Sequence, residues 1–182
     1  MNRLKSHYKY VVQYDLLTKL SYVNCITLPK IESISLNFGV KETVMSTRKI
    51  LPPLLALEVL TGQKGVVAKS KKDLINYKIR KGMIVGCKVN LRNKENIFSF
   101  LEKLVSMTLP RIRYFNGIRK GQVTQRGNLN LRIVDLLAFH ELEQEYEKFK
   151  DLPPLDISIV TTAKSQKEAI VLLSSFQIPF RH

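Results

Sequence analysis

The sequence predicts an α+β fold, in which helices cover one face of a mostly antiparallel β-sheet and leave the other face open. Segments with apolar residues at every second position alternate along the chain with segments whose apolar residues recur at helical spacing. The predicted order is helix, strand, helix, two strands, helix, two strands and helix, which suits helices packed on one side of an antiparallel sheet. The 182 residues, 45% of them hydrophobic, are enough for a single domain spanning residues 1–182 with its own core.

The first two elements are a helix and a strand. Residues 3–20 place apolar side chains on one helical face, which predicts an amphipathic helix. From Ile31 to Val40 every second residue is apolar, a period typical of a half-buried strand. Ser35 and Asn37 alternate with the apolar residues, so their side chains should lie on the outer face of this strand.

A second helix should follow and end at Thr61, because Gly62 favours the left-handed backbone that terminates many helices. Its interior contains Pro52 and Pro53, which would break a continuous helix. We therefore expect a kinked pair of helices, in which the prolines open an apolar second half from Leu54 to Leu60.

Two strands, at residues 66–68 and 83–92, flank the most basic segment of the chain. This segment, residues 69–82, is predicted to be a projecting loop or hairpin and is called the basic arm below. Its cations are Lys69, Lys71, Lys72, Lys78, Arg80 and Lys81, against the single acid Asp73. In the long strand, the side chains predicted to face inward are Met83, Val85, Cys87, Val89 and Leu91. Those predicted to face outward are Ile84, Gly86, Lys88, Asn90 and Arg92.

The central part of the chain should hold a third helix and a loop. Apolar residues at helical spacing from Ile97 to Thr108 predict the helix, and Pro110 should terminate it. Residues 111–128 are rich in arginine, punctuated by glycine and free of acids. They are expected to form an exposed basic connection.

The C-terminal part should add two strands and a helix. Alternation between residues 128 and 133 predicts a strand whose outward positions are Asn128, Asn130 and Arg132. A last strand is expected from about Ile157 to Ala163. Ser165 and Glu168 have the spacing of a capping box, so a final helix should run from about Gln166 to Phe176.

The charge balance is the strongest functional signal in the composition. Thirty lysines and arginines against fifteen acids give a formal net charge of +15 and a pI near 9.9. An excess of this size repels itself in the folded state unless counter-charges offset it. Nucleic-acid phosphates are the commonest counter-charge, so the chain is predicted to bind nucleic acid. The alternative is a basic surface that is merely solvated.

The predicted outward positions of three strands carry amides, hydroxyls and cations but no acid. They are Ser35, Asn37, Lys88, Asn90, Arg92, Asn128, Asn130 and Arg132. Amide groups can pair with base edges and 2′-hydroxyls, while arginine and lysine pair with phosphates. Because no aromatic side chain lies among them, we expect recognition of a folded RNA by its shape rather than stacking of single-stranded bases. A polar face that meets only solvent is the other interpretation.

Signatures of catalysis, metal binding and cofactor binding do not emerge. The three histidines, His7, His140 and His182, lie far apart and lack the spacing of metal ligands or nucleophilic sites. Cys25 and Cys87 have no metal-site spacing and are expected to be small buried residues. No apolar run approaches the roughly 20 residues of a membrane span. We expect no enzymatic activity, no cofactor and no membrane partner.

Short motifs in a fixed order carry a resemblance to a known family. They are Pro29-Lys30-Ile31-Glu32, Asn37-Phe38-Gly39-Val40, Thr61-Gly62-Gln63-Lys64, Ser70-Lys71-Lys72, Arg80-Lys81-Gly82-Met83, Lys88-Val89-Asn90-Leu91-Arg92, Leu109-Pro110-Arg111-Ile112-Arg113, Arg126-Gly127-Asn128, Asp156-Ile157-Ser158-Ile159-Val160-Thr161-Thr162-Ala163 and Ile178-Pro179-Phe180. Any one of them would be weak evidence, but the ordered set is highly specific. By these motifs the chain resembles the universal large-ribosomal-subunit protein number five, the 5S rRNA-binding family of the central protuberance.

The resemblance implies a ribosomal protein whose sheet face binds 5S rRNA and neighbouring large-subunit rRNA. It carries RNA contact onto Asn37, Gln63 and Asn90, with Lys88 and Arg92 as phosphate partners. The family's loop between its second and third strands reaches toward P-site tRNA, and here that role falls on the basic arm.

The family also contacts a protein of the small-subunit head, beside other proteins of the central protuberance. We assign the small-subunit contact to the arginine-rich segment, with Arg111, Arg113 and Arg119 as its candidate residues.

Departures from the bacterial pattern indicate an organellar member of the family. Pro52 and Pro53 fall where bacterial relatives continue a helix, and His140 replaces the usual proline between Phe139 and Glu141. The predicted location is the ribosome of a mitochondrion, with a plastid or the bacterial cytoplasm as alternatives.

Two other functions compete with this interpretation. One is an RNA-binding module or RNA chaperone that works outside the ribosome. The other is a nucleic-acid-processing enzyme, which the lack of clustered carboxylates for a metal ion disfavours.

Overall fold

The computed structural model describes residues 3–20, 22, 24–40, 47–73 and 75–181 of the chain. Within it the chain forms two compact units. Unit one contains Met1–Ile34, Leu91–Leu131 and Ser158–His182, and unit two contains Ser35–Asn90 and Arg132–Ile157. The prediction that the chain is one RNA-binding domain stays a prediction.

A five-stranded antiparallel sheet accompanied by helices confirms the predicted α+β class. The strands of the structure are β1 Ile31–Gly39, β2 Val66–Lys69, β3 Ile84–Leu91, β4 Ile118–Arg119, β5 Leu129–Ile133, β6 Leu155–Thr161 and β7 Phe180–Arg181. The five-stranded sheet has the order β2-β3-β1-β6-β5, and β4 pairs with β7 in a separate two-stranded sheet. Buried residues alternate with more exposed ones along β5 and β6, as the period-two pattern predicts.

The helices flank these strands in chain order. They are α1 Arg3–His7, α2 Gln13–Lys19, α3 Leu51–Thr61, α4 Lys94–Lys103, α5 Leu109–Arg111, α6 His140–Glu143, α7 Tyr146–Phe149 and α8 Gln166–Ser175. Two π-helical turns, Tyr8–Val12 and Leu104–Thr108, join α1 to α2 and α4 to α5.

The first helical segment of unit one matches the prediction over residues 3–20 except for one turn. Its buried side chains Leu4, Val12 and Leu16 lie at multiples of four residues, a spacing that drifts around a regular helix of 3.6 residues per turn. The wider π-helical turn offsets this drift and keeps them on one face. Val11, an apolar residue that was expected on the same helical face, is instead 44% exposed.

Three aromatic rings pack together in the core of unit one. The ring of Tyr8 stacks on Phe176 with 5.7 Å between centroids, and Phe98 lies 6.4 Å from Tyr8 and 6.1 Å from Phe176. The Tyr8 hydroxyl donates a hydrogen bond to the Pro29 carbonyl at 3.2 Å. The cluster therefore joins the first helical segment to α4 and to the residue that follows α8.

The third predicted helix runs one residue beyond its expected end. Pro110 lies within the first turn of α5, which extends to Arg111, so the prediction that Pro110 terminates the helix was wrong. Because the π-helical turn Leu104–Thr108 leads directly into α5, Pro110 lies near the end of a continuous helical segment. Proline has no N–H to donate to the preceding turn, and the segment ends one residue later. At the other end, the Asn93 side chain accepts a hydrogen bond from the Glu95 N–H and caps α4, at 3.2 Å.

The last helix confirms its predicted start. The Ser165 hydroxyl accepts a hydrogen bond from the Glu168 N–H at 3.3 Å and caps α8. The two-stranded sheet of β4 and β7 was not predicted, because two residues per strand are too few to show a period. It pairs Ile118 with Phe180 and Arg119 with Arg181 in parallel.

In unit two, α3 begins close to the predicted second half of the kinked pair. Pro52 and Pro53 lie in its first turn, and Gly62 ends it with a left-handed φ of 66°. Of the predicted first half, Thr47–Ile50 forms a 3-10 turn, and residues 41–46 lie outside the described residues.

β2 and β3 form an antiparallel hairpin with a shift in register. Ala68 pairs with Gly86, but the next pair skips Val85, so β3 carries an extra residue there. This bulge interrupts the alternation that the sequence suggests. Met83 is 36% exposed rather than inward, Gly86 is buried rather than outward, and Ile84 and Val85 are both half-buried.

The acidic segment of unit two, for which no element was predicted, contains two short helices. Leu142 in α6 and Phe149 in α7 are buried, and both helices contact α3. Each helix has only four residues, which is too short for its periodicity to be recognised in sequence.

Candidate nucleic-acid interface

Three predicted RNA contacts occupy exposed strand positions of unit two. Asn37 on β1 and Lys88 and Asn90 on β3 are exposed, whereas their neighbours Phe38 and Val89 are buried. Among the described residues, none forms a hydrogen bond or ion pair with the three exposed side chains. Two amides and one ammonium group can therefore engage a ligand without breaking an internal bond.

Two further predicted contacts of unit two differ in accessibility. Ser35 on β1 is half-buried, so only part of its hydroxyl surface can meet a ligand. Gln63 is exposed in the turn after α3, where the Thr61 hydroxyl accepts the Gln63 N–H at 3.2 Å. This bond holds the backbone of the turn, while the amide of Gln63 extends from it.

An acid that was not predicted at this surface, Asp156, lies beside one predicted contact. Arg132 Nε on β5 is 3.7 Å from Asp156 Oδ1 on β6, and the two side chains are 64% and 46% exposed. The alternation of buried Leu155, Ile157 and Ile159 could have placed Asp156 on the outer face. Because the pair is solvent-exposed, Asp156 reduces the positive potential of Arg132 without removing it.

The predicted contacts of unit one divide into exposed and internally bonded groups. Arg92 and Asn130 are exposed, and no hydrogen bond or ion pair links their side chains to other described residues. Asn128 is half-buried, and its side-chain oxygen accepts the Thr161 N–H at 3.3 Å. The Thr161 hydroxyl in turn donates to the Gly127 carbonyl at 2.7 Å. The side-chain oxygen of Asn128 is therefore already used in an internal hydrogen bond that stabilises the fold.

All six cations of the basic arm are exposed, with Lys69, Lys71 and Lys72 at its start and Lys78, Arg80 and Lys81 at its end. The hairpin continues into it, because the Ser70 N–H donates to the Met83 carbonyl at 2.8 Å and the Gly82 N–H donates to the Ser70 carbonyl at 2.9 Å. The acid of the arm is also engaged, since Asp73 Oδ1 accepts the Lys81 N–H at 2.6 Å. The positively charged side chains of the arm are therefore exposed, while hydrogen bonds hold its backbone where it leaves the hairpin.

The arginine-rich segment of unit one also carries accessible cations. Its three candidate residues, Arg111, Arg113 and Arg119, are all exposed, and Arg119 is anchored by its place in β4. In the same segment Tyr114 is 96% exposed and adopts a left-handed φ of 57°. The segment combines cationic and aromatic surface, which suits contact with a macromolecule.

The other reactive groups are placed as structural residues. Burial raises the pKa of the Cys87 thiol to about 12, so this side chain is a neutral, buried group at ordinary pH. His7 Nε2 lies 3.2 Å from the Ser175 carbonyl oxygen, and His140 Nδ1 lies 3.6 Å from Glu143 Oε2. Within the described ranges no three His, Cys, Asp or Glu side chains are grouped so that they could hold a metal ion.

The helices formed by the described residues do not reach across a bilayer. None of them has both the length and the apolar composition that a membrane span needs.

Comparisons with known proteins cover nearly the whole chain. The family model described as ribosomal protein L5 matches residues 24–80, and the model for the C-terminus of the same ribosomal family matches residues 84–180. The large ribosomal subunit protein uL5m of Reclinomonas americana is 49% identical over 179 residues, which cover 98% of each chain.

The fold and these matches define a ribosomal protein, a structural component without enzymatic activity. The chain belongs to the ribosomal protein L5 family of the large subunit. The resemblance drawn from the short motifs is therefore confirmed, including its organellar branch. The similarity to a mitochondrial large-subunit protein confirms the predicted ribosomal location and supports its mitochondrial setting.

Proposed function

We propose that the chain binds 5S rRNA and neighbouring large-subunit rRNA in the central protuberance of a mitochondrial ribosome. The observation that carries this proposal is the set of exposed side chains Asn37, Lys88 and Asn90, which make no bond to other described residues. The strands fix the backbone from which these side chains extend, so RNA binding orders the side chains but does not have to order the backbone. Asn37 and Asn90 can each donate and accept, which suits base edges and 2′-hydroxyls, and Lys88 pairs with a phosphate.

The second set of RNA contacts belongs to unit one. Arg92 and Asn130 repeat the combination of cation and amide, and their exposure supports the same role. Arg132 of unit two adds a phosphate contact weakened by Asp156. Ser35, Gln63 and Asn128 complete the proposed RNA-binding residues.

The basic arm extends the proposal to P-site tRNA. Its six cations cannot neutralise one another, and a phosphate backbone supplies the missing counter-charge. Arg111, Arg113 and Arg119 form the proposed contact to a small-subunit head protein. Other proteins of the central protuberance would cover further surface.

Binding of 5S rRNA to purified variants tests the proposal. Asn37→Ala and Asn90→Ala should each weaken binding by about 1–3 kcal/mol, by analogy with side-chain contacts to base edges in DNA. Both residues are exposed, so the thermal stability of the variants should be unchanged. Asn24→Ala is the matched control, because Asn24 is exposed but lies outside the proposed contacts. Equal effects of all three substitutions would refute the assignment.

Removal of the basic arm tests the division of labour. Replacing residues 71–81 by Asn-Gly should leave the closing pair between Ser70 and Gly82 in a two-residue hairpin turn. This variant should retain 5S rRNA binding and lose support of P-site tRNA in a tRNA-binding assay on reconstituted ribosomes. Loss of 5S rRNA binding would show that the arm belongs to the 5S contact instead. Failure of the wild-type protein to sediment with large subunits at high salt would favour a role outside the ribosome.

A further inference from the structure

Unit one contains a groove that none of the proposed RNA contacts enters. It has a volume of about 470 Å³ and lies between the first helical segment and the beginning of α4. Its lining consists of charged, hydroxyl, amide and aromatic groups from Lys5, Ser6, Lys9, Tyr10, Glu95, Asn96 and Ser99. The groove therefore brings together one aromatic ring, two ammonium groups and several hydrogen-bonding side chains.

The π-helical turn of the first helical segment contributes Lys9 and Tyr10 to this groove. The Tyr10 side chain is 62% exposed, and the Lys9 ammonium lies 5.5 Å from the centroid of its ring. An exposed tyrosine ring beside a cation is typical of surfaces on which nucleic-acid bases stack. π-helical turns occur frequently at functional sites, although they are rare overall.

The charges in the groove suit a ligand with a single phosphate. Lys5 Nζ lies 3.6 Å from Glu95 Oε1, so its charge is already partly compensated. Lys9 forms no ion pair with any residue in the described part of the chain. One available cation beside one acid favours a phosphodiester over a triphosphate, which would bring more negative charge toward Glu95.

We infer that this groove binds one unpaired nucleotide of ribosomal RNA. On binding, the Lys9 ammonium, which lies over the Tyr10 ring in the free protein, moves to the phosphate and the base stacks on the ring in its place. The polar side chains of Ser6, Asn96 and Ser99 meet the sugar and the base edge. The inference rests on the proposed RNA binding and adds a different mode to it. The strand positions recognise folded RNA without aromatic groups, whereas this groove takes a base that has left the helix.

Two RNA hairpins and one mononucleotide test the inference with the full chain. The hairpins have the same stem, and only one carries a single bulged adenosine. We expect the wild-type protein to prefer the bulged hairpin by roughly 5- to 150-fold, which corresponds to the stacking of one base. Tyr10→Ala should abolish this preference and leave binding to the paired hairpin unchanged, whereas Tyr10→Phe should keep it.

The control residue is Tyr14, an exposed tyrosine one helical turn further on that does not line the groove. Tyr14→Ala should retain the preference, and equal losses for Tyr10→Ala and Tyr14→Ala would overturn the inference. Equal binding of both hairpins by the wild-type protein, or binding of neither, would overturn this inference alone, whereas loss of binding to 5S rRNA itself would refute the proposed function. Competition by free AMP at concentrations that match the bulged RNA would identify a site for free nucleotides and overturn the assignment to RNA.

Discussion

One methyl group at Gly86 should disturb the strand pair that carries the proposed RNA contacts. Gly86 is buried on β3, two residues before Lys88 and four before Asn90. A Cβ atom added to Gly86 would collide with the Phe38 carbonyl oxygen of β1, and would lie 3.5 Å from the Cα of Gly39. These are backbone atoms, so no side-chain rotation can relieve the collision.

The strands must therefore move apart or shift, and the cost can be estimated. Inserting a methyl group into a packed interior typically costs about 1–3 kcal/mol. Separation of β1 from β3 would also endanger the hydrogen bond from the Val40 N–H to the Val85 carbonyl, now 3.0 Å long. Leaving such a group unpaired adds about 1–3 kcal/mol. Gly86→Ala should thus lower the free energy of unfolding by about 2–6 kcal/mol, a large share of a typical total of roughly 5–15 kcal/mol.

Denaturant titration of Gly86→Ala and Gly39→Ala measures this cost. Gly39 lies on the neighbouring strand, and a Cβ added there would meet no heavy atom of the described residues within 4 Å, its two chain neighbours apart. Gly39→Ala should therefore change the free energy of unfolding by less than about 0.5 kcal/mol. If Gly86→Ala were as stable as this control, the close approach of β1 and β3 would be wrong.

Three further predictions follow from single side chains. Thr161→Val should lower the free energy of unfolding by about 1–3 kcal/mol, because the buried Gly127 carbonyl loses its hydroxyl donor. Denaturant titration measures this loss, and a value below about 0.5 kcal/mol would contradict the prediction. Asp156→Asn should strengthen 5S rRNA binding about two- to fivefold, because Arg132 loses its competing carboxylate at an exposed site; unchanged or weaker binding would contradict it. Burial raises the pKa of Cys87 from 9.0 to about 12. Between these pH values the thiol is protonated in the folded protein and ionised in the unfolded one, so unfolding releases a proton. The free energy of unfolding should therefore fall as the pH rises from about 9 toward 12. Cys87→Ala should remove that part of the pH dependence. In the native protein, iodoacetamide treatment at about pH 8, which is below the ordinary thiol pKa, should leave Cys87 unmodified when the protein is examined by mass spectrometry.

Local sequence patterns predicted the elements that local interactions determine. The first helical segment, the Gly62 end of α3 and the Ser165 cap of α8 each depend on residues within one or two turns. The polar outer positions Lys88 and Asn90 followed from alternation in a strand long enough to show it.

Features set by tertiary pairing were beyond these patterns. The bulge at Val85 arises from the register with β2, so the facing of Met83 and Gly86 could not be read from alternation alone. The two-residue strands β4 and β7 exist only because distant segments meet. Asp156, by contrast, could have been predicted on the outer face, because the apolar residues of β6 alternate in the sequence and Asp156 lies between two of them.

Directed hydroxyl-radical probing from residue 88 tests most directly whether this strand position faces 5S rRNA. An iron chelate would be tethered to Lys88→Cys in a Cys25→Ser background, and cleavage of 5S rRNA would be mapped in assembled large subunits. We expect cleavage of 5S rRNA from position 88 and none from Glu147→Cys, an exposed site outside the proposed contacts. Intact 5S rRNA around position 88 would contradict the proposed interface.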